Sequence, residues 1–275
     1  MAETDNRIII ESPHNAQVKE LAALATKKGR RESGKFTVEG IRPVRDALAA
    51  ENAAVHRIAV TEDRADDESI APVISDCLKA RTPVLFVTRQ IMGKISRMET
   101  PQGILAEVSL KTKTDLESAE FKGISVIAHG IQDPRNMGLL MRTSEAAGVG
   151  TFVATAGSTD PFHPTAAQTS MGAVFYQRIV AGVDASDAVR AAKKRGAAVF
   201  GTAVRGGTPV DNWLKKLPRN FALILGNEGA GLDDSVAKLT DDNISLPMIG
   251  RGESLNVAVA AGVLIYMARL KIGSK

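Results

Sequence analysis

The sequence predicts an α/β protein built as two units, the second on a parallel sheet. Short, mostly β-branched runs alternate with segments of helical periodicity along both parts of the 275-residue chain. The stretch "KTKTDLESAEFKG" (111–123) interrupts that rhythm with charge and no apolar pattern of its own. From residue 124 the alternation restarts with glycine-bounded strands followed by helices, the pattern of a parallel sheet covered on both faces. The expected division is 1–110, a linker over 111–123, and 124–275.

In the first unit, Ser12-Pro13 ahead of "HNAQVKELAALATKKG" reads as a capped helix start. Val18, Leu21, Ala22 and Ala25 repeat at helical spacing, and Gly29 stands where the helix should stop. "KFTVEG" (35–40), "VHRIAVTE" (55–62), "PVLFVT" (83–88) and "GILAEVSL" (103–110) are strand candidates. Helices are expected over 41–51, with Pro43 in the first turn, and over 70–80.

In the second unit the expected strands are "ISVIAHGI", "GTFVAT", "VFYQRIV", "AAVFGTAV", "FALILGN" and a short run ending at Pro247. The expected helices are 137–147, near 164–172, 185–195 and 254–270. The last is apolar nearly all round, so it should be buried.

Composition narrows the function. Hydrophobic residues make up 44% and charged residues 24%, enough apolar material for real cores in a soluble globular protein. One cysteine, Cys77, excludes an internal disulfide framework and suits a cytoplasmic location. The start "MAETDNRIIIESP" has no signal-peptide pattern, and no apolar run approaches the roughly 20 residues that span a bilayer. The net charge is +4. Residues 1–120 hold 18 Lys/Arg against 19 Asp/Glu, yet residues 27–45 hold seven basic residues against two acidic. Such a local cluster, with Lys27, Lys28, Arg30, Arg31 and Lys35 at its centre, suits a polyanion; a solvated helix end plus loop is the alternative.

Three segments at strand ends are where ligands bind in open parallel sheets. In "HGIQDPRNMGLLMRTSEAAGV" (129–149), Asn136 is placed to cap a helix on which Met137, Leu140, Met141 and Ser144 form the core stripe. Gly138, Arg142, Glu145 and Ala146 lie beside it. A guanidinium flanked by small residues could reach a phosphate; an arginine that snorkels, or pairs with Glu145, is the other reading. "LILGNEGAGLDD" (223–234) has glycines in the order G-x-x-G-x-G, not the G-x-G-x-x-G of a dinucleotide fold, with Glu228 at the turn. "ISLPMIGRGESLNVAVAAG" (244–262) places Ser254 and Asn256 at the start of the last helix, where polar groups cap the helix or hold a ligand.

Together, "DPRNMGLLMRTSEAAGV", "LILGNEGAGL" and "ISLPMIGRGESLNVAVAAG" resemble, in order and separation, the three motifs of the SpoU/TrmH RNA ribose 2′-O-methyltransferases of the SPOUT superfamily. "SPHNAQVKELAALATKKGRRESGKFTVEGIRPVRDAL" is similar to the substrate-binding domain of rRNA-directed members. One departure is visible: ahead of the S-x-G-A element the family often has a basic residue, and this chain has Gln168-Thr169.

The resemblance implies a SPOUT domain with a deep trefoil knot, preceded by a small α/β RNA-binding domain also seen in ribosomal proteins. It implies S-adenosyl-L-methionine (AdoMet) held at Gly226, Leu246, Met248 and Leu255, with Thr202 and Ala203 in the "FGTAV" turn. Arg142, Asn136, Glu228, Ser254 and Asn256 are the implied catalytic set, RNA the substrate (rRNA favoured over tRNA), and a homodimer the assembly; no metal is called for. A non-catalytic RNA-binding or ribosome-assembly factor on the same fold, and a tRNA-directed enzyme, remain the rival readings.

Overall fold

The computed structural model describes residues 7–112, 114–204, 206–227 and 229–273. The chain divides into two compact units, Met1–Thr112 with Phe162–Phe175, and Lys113–Pro161 with Tyr176–Lys275.

The first unit contains β1 (Ile9–Ile10), α1 (Ala16–Ala23), α2 (Lys27–Ser33), β2 (Phe36–Glu39), α3 (Ile41–Ala49), β3 (Ala53–Thr61), α4 (Ala71–Lys79), β4 (Val84–Val87), α5 (Arg89–Ile95) and β5 (Ile104–Leu110). Its mixed sheet runs β1-β4-β3-β5-β2, with β5 antiparallel to both neighbours. Val18, Leu21, Ile91 and Met92 pack on Ala59, Val87 and Leu105 to form a core. Cys77 is buried in α4, and burial pushes its thiol up to about 11, so it is no nucleophile.

Two expectations here are corrected. Asn15, not Ser12, caps α1, its side chain accepting from the Gln17 amide at 2.8 Å. Gly29 does not stop that helix. It lies inside a second one, α2, capped by Thr26, where a side chain would run into the Ala23 carbonyl at the end of α1.

The second unit holds β6 (Ile124–Ala128), α6 (Pro134–Ala146) and β7 (Thr151–Thr155). After α7 (Pro164–Thr169) and α8 (Ala173–Tyr176) come β8 (Arg178–Val183), α9 (Ala185–Lys194), β9 (Ala198–Thr202), β10 (Thr208–Pro209), α10 (Val210–Lys215) and β11 (Phe221–Leu225). The chain ends with α11 (Asp234–Ala237), β12 (Asp242–Ser245) and α12 (Val257–Gly273). The α7 segment packs on β2 and belongs to the first unit. The seven strands are all parallel, in the order β10-β12-β9-β11-β6-β7-β8. β6, β7 and β11 are buried throughout, as continuous apolar strands under helices on both faces require.

The stretch read as a linker, 111–123, is not free chain. Ala119 and Phe121 are buried in the core formed by Ile127, Val153, Val189 and Ile224. A buried Phe contributes about 1.5–3 kcal/mol, enough for two apolar residues to fasten an otherwise charged segment. The run "VFYQRIV" is likewise split, its first half finishing α8 and its second half opening β8. The last helix is also not buried all round: Val259, Val263, Tyr266 and Leu270 are exposed along one side.

Candidate active site

The site lies at the carboxyl ends of β6, β9, β11 and β12, where parallel strands deliver their loops. A cavity of about 660 Å³ is lined there by the turn after β9, the glycine turn after β11, the loop after β12 and the start of α12. It gathers Thr202, Ala203, Gly226, Leu246, Met248 and Leu255, all six residues expected to hold a cofactor. Ser254 and Asn256 line it as well.

Gly226 explains why the second motif needs glycine. A Cβ there would lie 2.5 Å from the Gly231 oxygen and the Leu232 nitrogen, both backbone atoms. The turn closes on itself because Asn227 and Gly231 exchange backbone hydrogen bonds, each 2.9 Å. The Asn227 side chain accepts from the Gly229 and Ala230 amides at 2.9 and 3.0 Å and donates to the Gly130 carbonyl at 2.9 Å. Glu228 lies outside the described residues.

The first motif differs from expectation at its cap. Asp133, not Asn136, caps α6, accepting from the Arg135 amide at 2.8 Å, and Pro134 takes the first helical position. Asn136 is thereby freed for another task. Only 8% exposed, it accepts at Oδ1 from Asn256 Nδ2 at 2.9 Å. Asn256 in turn caps α12, its own Oδ1 accepting from the Ala258 and Val259 amides. The helix therefore begins at Val257, and Ser254 stands in the exposed loop before it.

At the far ends Arg269 donates to the Ala147 and Gly148 carbonyls at 2.7 and 2.6 Å. α6 and α12 are thus a parallel pair fastened at both ends, and Gly262 permits close approach to Thr143. Their two N-termini converge beside the cavity, where peptide dipoles favour negative charge.

The core stripe Met137, Leu140, Met141 and Ser144 is buried as expected, and so is Gly138. Arg142 is exposed, has no hydrogen-bond or ion-pair partner among the described residues, does not pair with Glu145, and is not among the residues lining the cavity.

The basic cluster separates into two sets. Lys27, Lys28 and Arg31 are exposed on α2, where Glu32 lies 3.9 Å from Lys28. Arg30 is corrected from surface contact to structural anchor. It is 5% exposed, and its Nη1 donates to the Leu24 and Ala25 carbonyls at 2.9 and 3.1 Å, satisfying the end of α1. Lys35 is half-buried and paired with Glu107 at 2.9 Å, in a network with Arg57 and Glu20. Helical spacing could not separate these five residues, because burial of α2 against α1 is a tertiary fact. Asn227 and Asn243, which also line the cavity, were missed by sequence reasoning; for Asn227 the signal was an Asn inside a glycine turn, where its side chain folds onto the backbone.

Residues 123–266 match the model of the SpoU rRNA Methylase family, and residues 15–106 match that of the MRM3-like substrate binding domain. The 23S rRNA (guanosine(2553)-2′-O)-methyltransferase RlmP of Bacillus subtilis is 34% identical over 262 residues, spanning 94% of this chain and 98% of the relative. The 23S rRNA (guanosine-2′-O-)-methyltransferase RlmB of Vibrio cholerae is 26% identical over 84% of this chain and 95% of its own. The crystal structure of an AdoMet-bound rRNA methyltransferase from Sinorhizobium meliloti is similar with a TM-score of 0.81, at 26% identity over 96% of this chain and 97% of that one.

Proposed function

The chain belongs to the SpoU rRNA methylase family, and from that premise we propose that it uses AdoMet to methylate a ribose 2′-hydroxyl of ribosomal RNA. The observation that carries the reading is the single cavity that unites the six expected cofactor residues with Asn256, itself bonded to Asn136 of the first motif.

The residues fit the cofactor. The cavity is within the roughly 300–1,000 Å³ typical of small-molecule sites, and the absent Cβ of Gly226 brings backbone to its wall. Thr202, Ala203, Gly226, Leu246, Met248 and Leu255 would hold AdoMet, which supplies the activated methyl group. The protein must then align the 2′-oxygen and help its proton leave.

Arg142 is an unsuitable base, because a guanidinium stays protonated in proteins. In this proposal it grips the phosphate beside the target ribose with its two-pronged face and stabilises charge growing on the 2′-oxygen, while the proton passes to phosphate or water. Asn136 and Asn256 fix the start of α6, and Ser254 orients the ribose.

The proposal extends to a homodimer with a site near the interface. Val259, Val263, Tyr266 and Leu270 are exposed at spacings of four, three and four, with Leu139 of α6 also exposed. A second copy on this stripe would cover it and bring an Arg142 toward a cavity that its own copy does not line with it. The proposal also includes a trefoil knot. Strand order supports it: β11 lies between β9 and β6, and the chain must then return across β9 to reach β12. The proposal places this action in the cytoplasm; among the described residues no helix is long and apolar enough to cross a membrane.

Mapping ribose methylation on RNA from cells with and without the gene tests the function. Loss of one 2′-O-methyl mark in rRNA is expected; an unchanged map overturns the proposal. Calorimetry with AdoMet separates an enzyme from a non-catalytic assembly factor, which would show no binding.

RNA contact is assigned to α2. Neutralising Lys27, Lys28 and Arg31 together is expected to weaken RNA binding and lower its salt slope by about 2, with AdoMet affinity intact. Arg30→Ala should instead cost about 1–3 kcal/mol of stability, because it strands buried carbonyls. Salt-dependent RNA binding and thermal unfolding check both; equal effects of the two variants on RNA binding at full stability would contradict the assignment.

A further inference from the structure

His129 follows the last residue of β6, and the three motifs do not include it. Its side chain is largely buried and both ring nitrogens are engaged: Nδ1 with Thr155 Oγ1 at 3.0 Å and Nε2 with Asp233 Oδ2 at 2.9 Å. Asp233 stands directly after the glycine turn and caps α11, its Oδ1 accepting from the Val236 amide at 3.0 Å and the Ser235 hydroxyl at 2.5 Å. The Ser235 hydroxyl, His129 and the Val236 amide together hold the Asp233 carboxyl well below the usual range. An ionised carboxylate only accepts, so Nε2 carries the proton that joins the two residues.

The neighbouring residue completes the arrangement. The Gly130 carbonyl accepts from Asn227 at the entry of the turn, while His129 holds Asp233 just past its exit. Two consecutive residues therefore hold both ends of a turn whose Gly226, Gly229, Ala230, Gly231 and Leu232 line the cavity. The same segment leads straight into α6, which carries Asn136 and Arg142. It is itself fixed from below: Ser158 Oγ accepts from the Ile131 amide at 3.3 Å, and Gln132 donates to the Gly157 carbonyl at 2.7 Å.

We propose that His129 is a positioning residue which, through Asp233, holds the glycine turn of the cofactor cavity in register with the start of the Arg142 helix. It touches neither RNA nor cofactor in this role. The proposal rests on the methyltransferase reading for its activity arm and on geometry alone for its structural arm.

The test compares His129→Gln with His129→Leu in the full chain. The glutamine amide can replace Nε2 as donor to Asp233, whereas leucine fills similar space and donates nothing. His129→Leu is expected to weaken AdoMet binding about tenfold, the effect of one hydrogen bond to a charged group, and His129→Gln to restore it to within about threefold. Asp233→Asn keeps a capping oxygen and loses the charged acceptor, so it should match His129→Leu and add little to it in the double variant. Hydrogen exchange of the turn amides, measured without cofactor, should quicken in His129→Leu and not in His129→Gln.

Wild-type exchange and affinity in His129→Leu, equal impairment of both His129 variants, or additivity with Asp233→Asn would each overturn the proposal. If the unaltered protein bound no AdoMet, the functional reading would fall, and the exchange measurement would still decide whether His129 holds the turn.

Discussion

Arg142→Lys is expected to lower single-turnover methylation by about 10²–10³-fold, the usual effect of removing one group that stabilises developing oxyanion charge. Lysine keeps the positive charge and a similar length. What it loses is the planar fork that meets two phosphate oxygens at once. Because Arg142 is exposed and has no protein partner among the described residues, its replacement removes no intramolecular bond and should leave thermal stability unchanged. AdoMet affinity should also hold, since the proposed grip of Arg142 is on the RNA phosphate and Arg142 does not line the cavity of its own copy. The measurement is the rate at saturating RNA and AdoMet, with RNA affinity determined separately. A rate within threefold of the unaltered protein would refute the bidentate role, and a simple point charge would then suffice.

Gly226→Ala is expected to abolish measurable AdoMet binding, with an affinity loss of about 100-fold or more, because the atoms a methyl group would strike cannot move aside cheaply. They are the Gly231 oxygen and the Leu232 nitrogen, and yielding would break the paired Asn227–Gly231 bonds that close the turn. Gly229→Ala is the matched control. Its nearest protein neighbour would be Asn227 Oδ1 at 3.6 Å, ordinary contact, so the turn keeps its shape and the expected affinity loss at this cavity-lining position is well below that of Gly226→Ala. Calorimetry on both variants checks the pair. Equal affinities would show that the turn does not form the cofactor wall.

Much of the fold was legible because strands buried on both faces leave a short, nearly continuous apolar run. β6, β7, β9 and β11 lie where that pattern put them. α5, α10 and α11 were not legible, being four to seven residues long and too short for periodicity to register. The exposed side of α12 was hidden for a different reason. Composition reports that a helix is apolar, not how much of it the fold covers, and Val259, Val263, Tyr266 and Leu270 stay exposed. The capping of α6 was misjudged because Asp133 and Asn136 are equally able caps by residue type; Pro134 in the first helical position and the Arg135 amide bond decide for Asp133, and Asn136 accepts from Asn256 instead.

By itself, the sequence determined the α/β class and the three glycine- and asparagine-bearing segments with their chemistry, since those follow from residue type and short spacing. Tertiary structure alone decided that these segments share one cavity, that Asn136 meets Asn256 across 120 residues, and that His129 and Gly130 hold both ends of the glycine turn. It also decided which charges remain free, burying Arg30 and pairing Lys35 while leaving Lys27, Arg31 and Arg142 exposed. The reason is the range of the forces involved. Backbone preference acts over a few residues and is written locally, whereas hydrogen bonding and burial depend on neighbours that only the folded chain brings together.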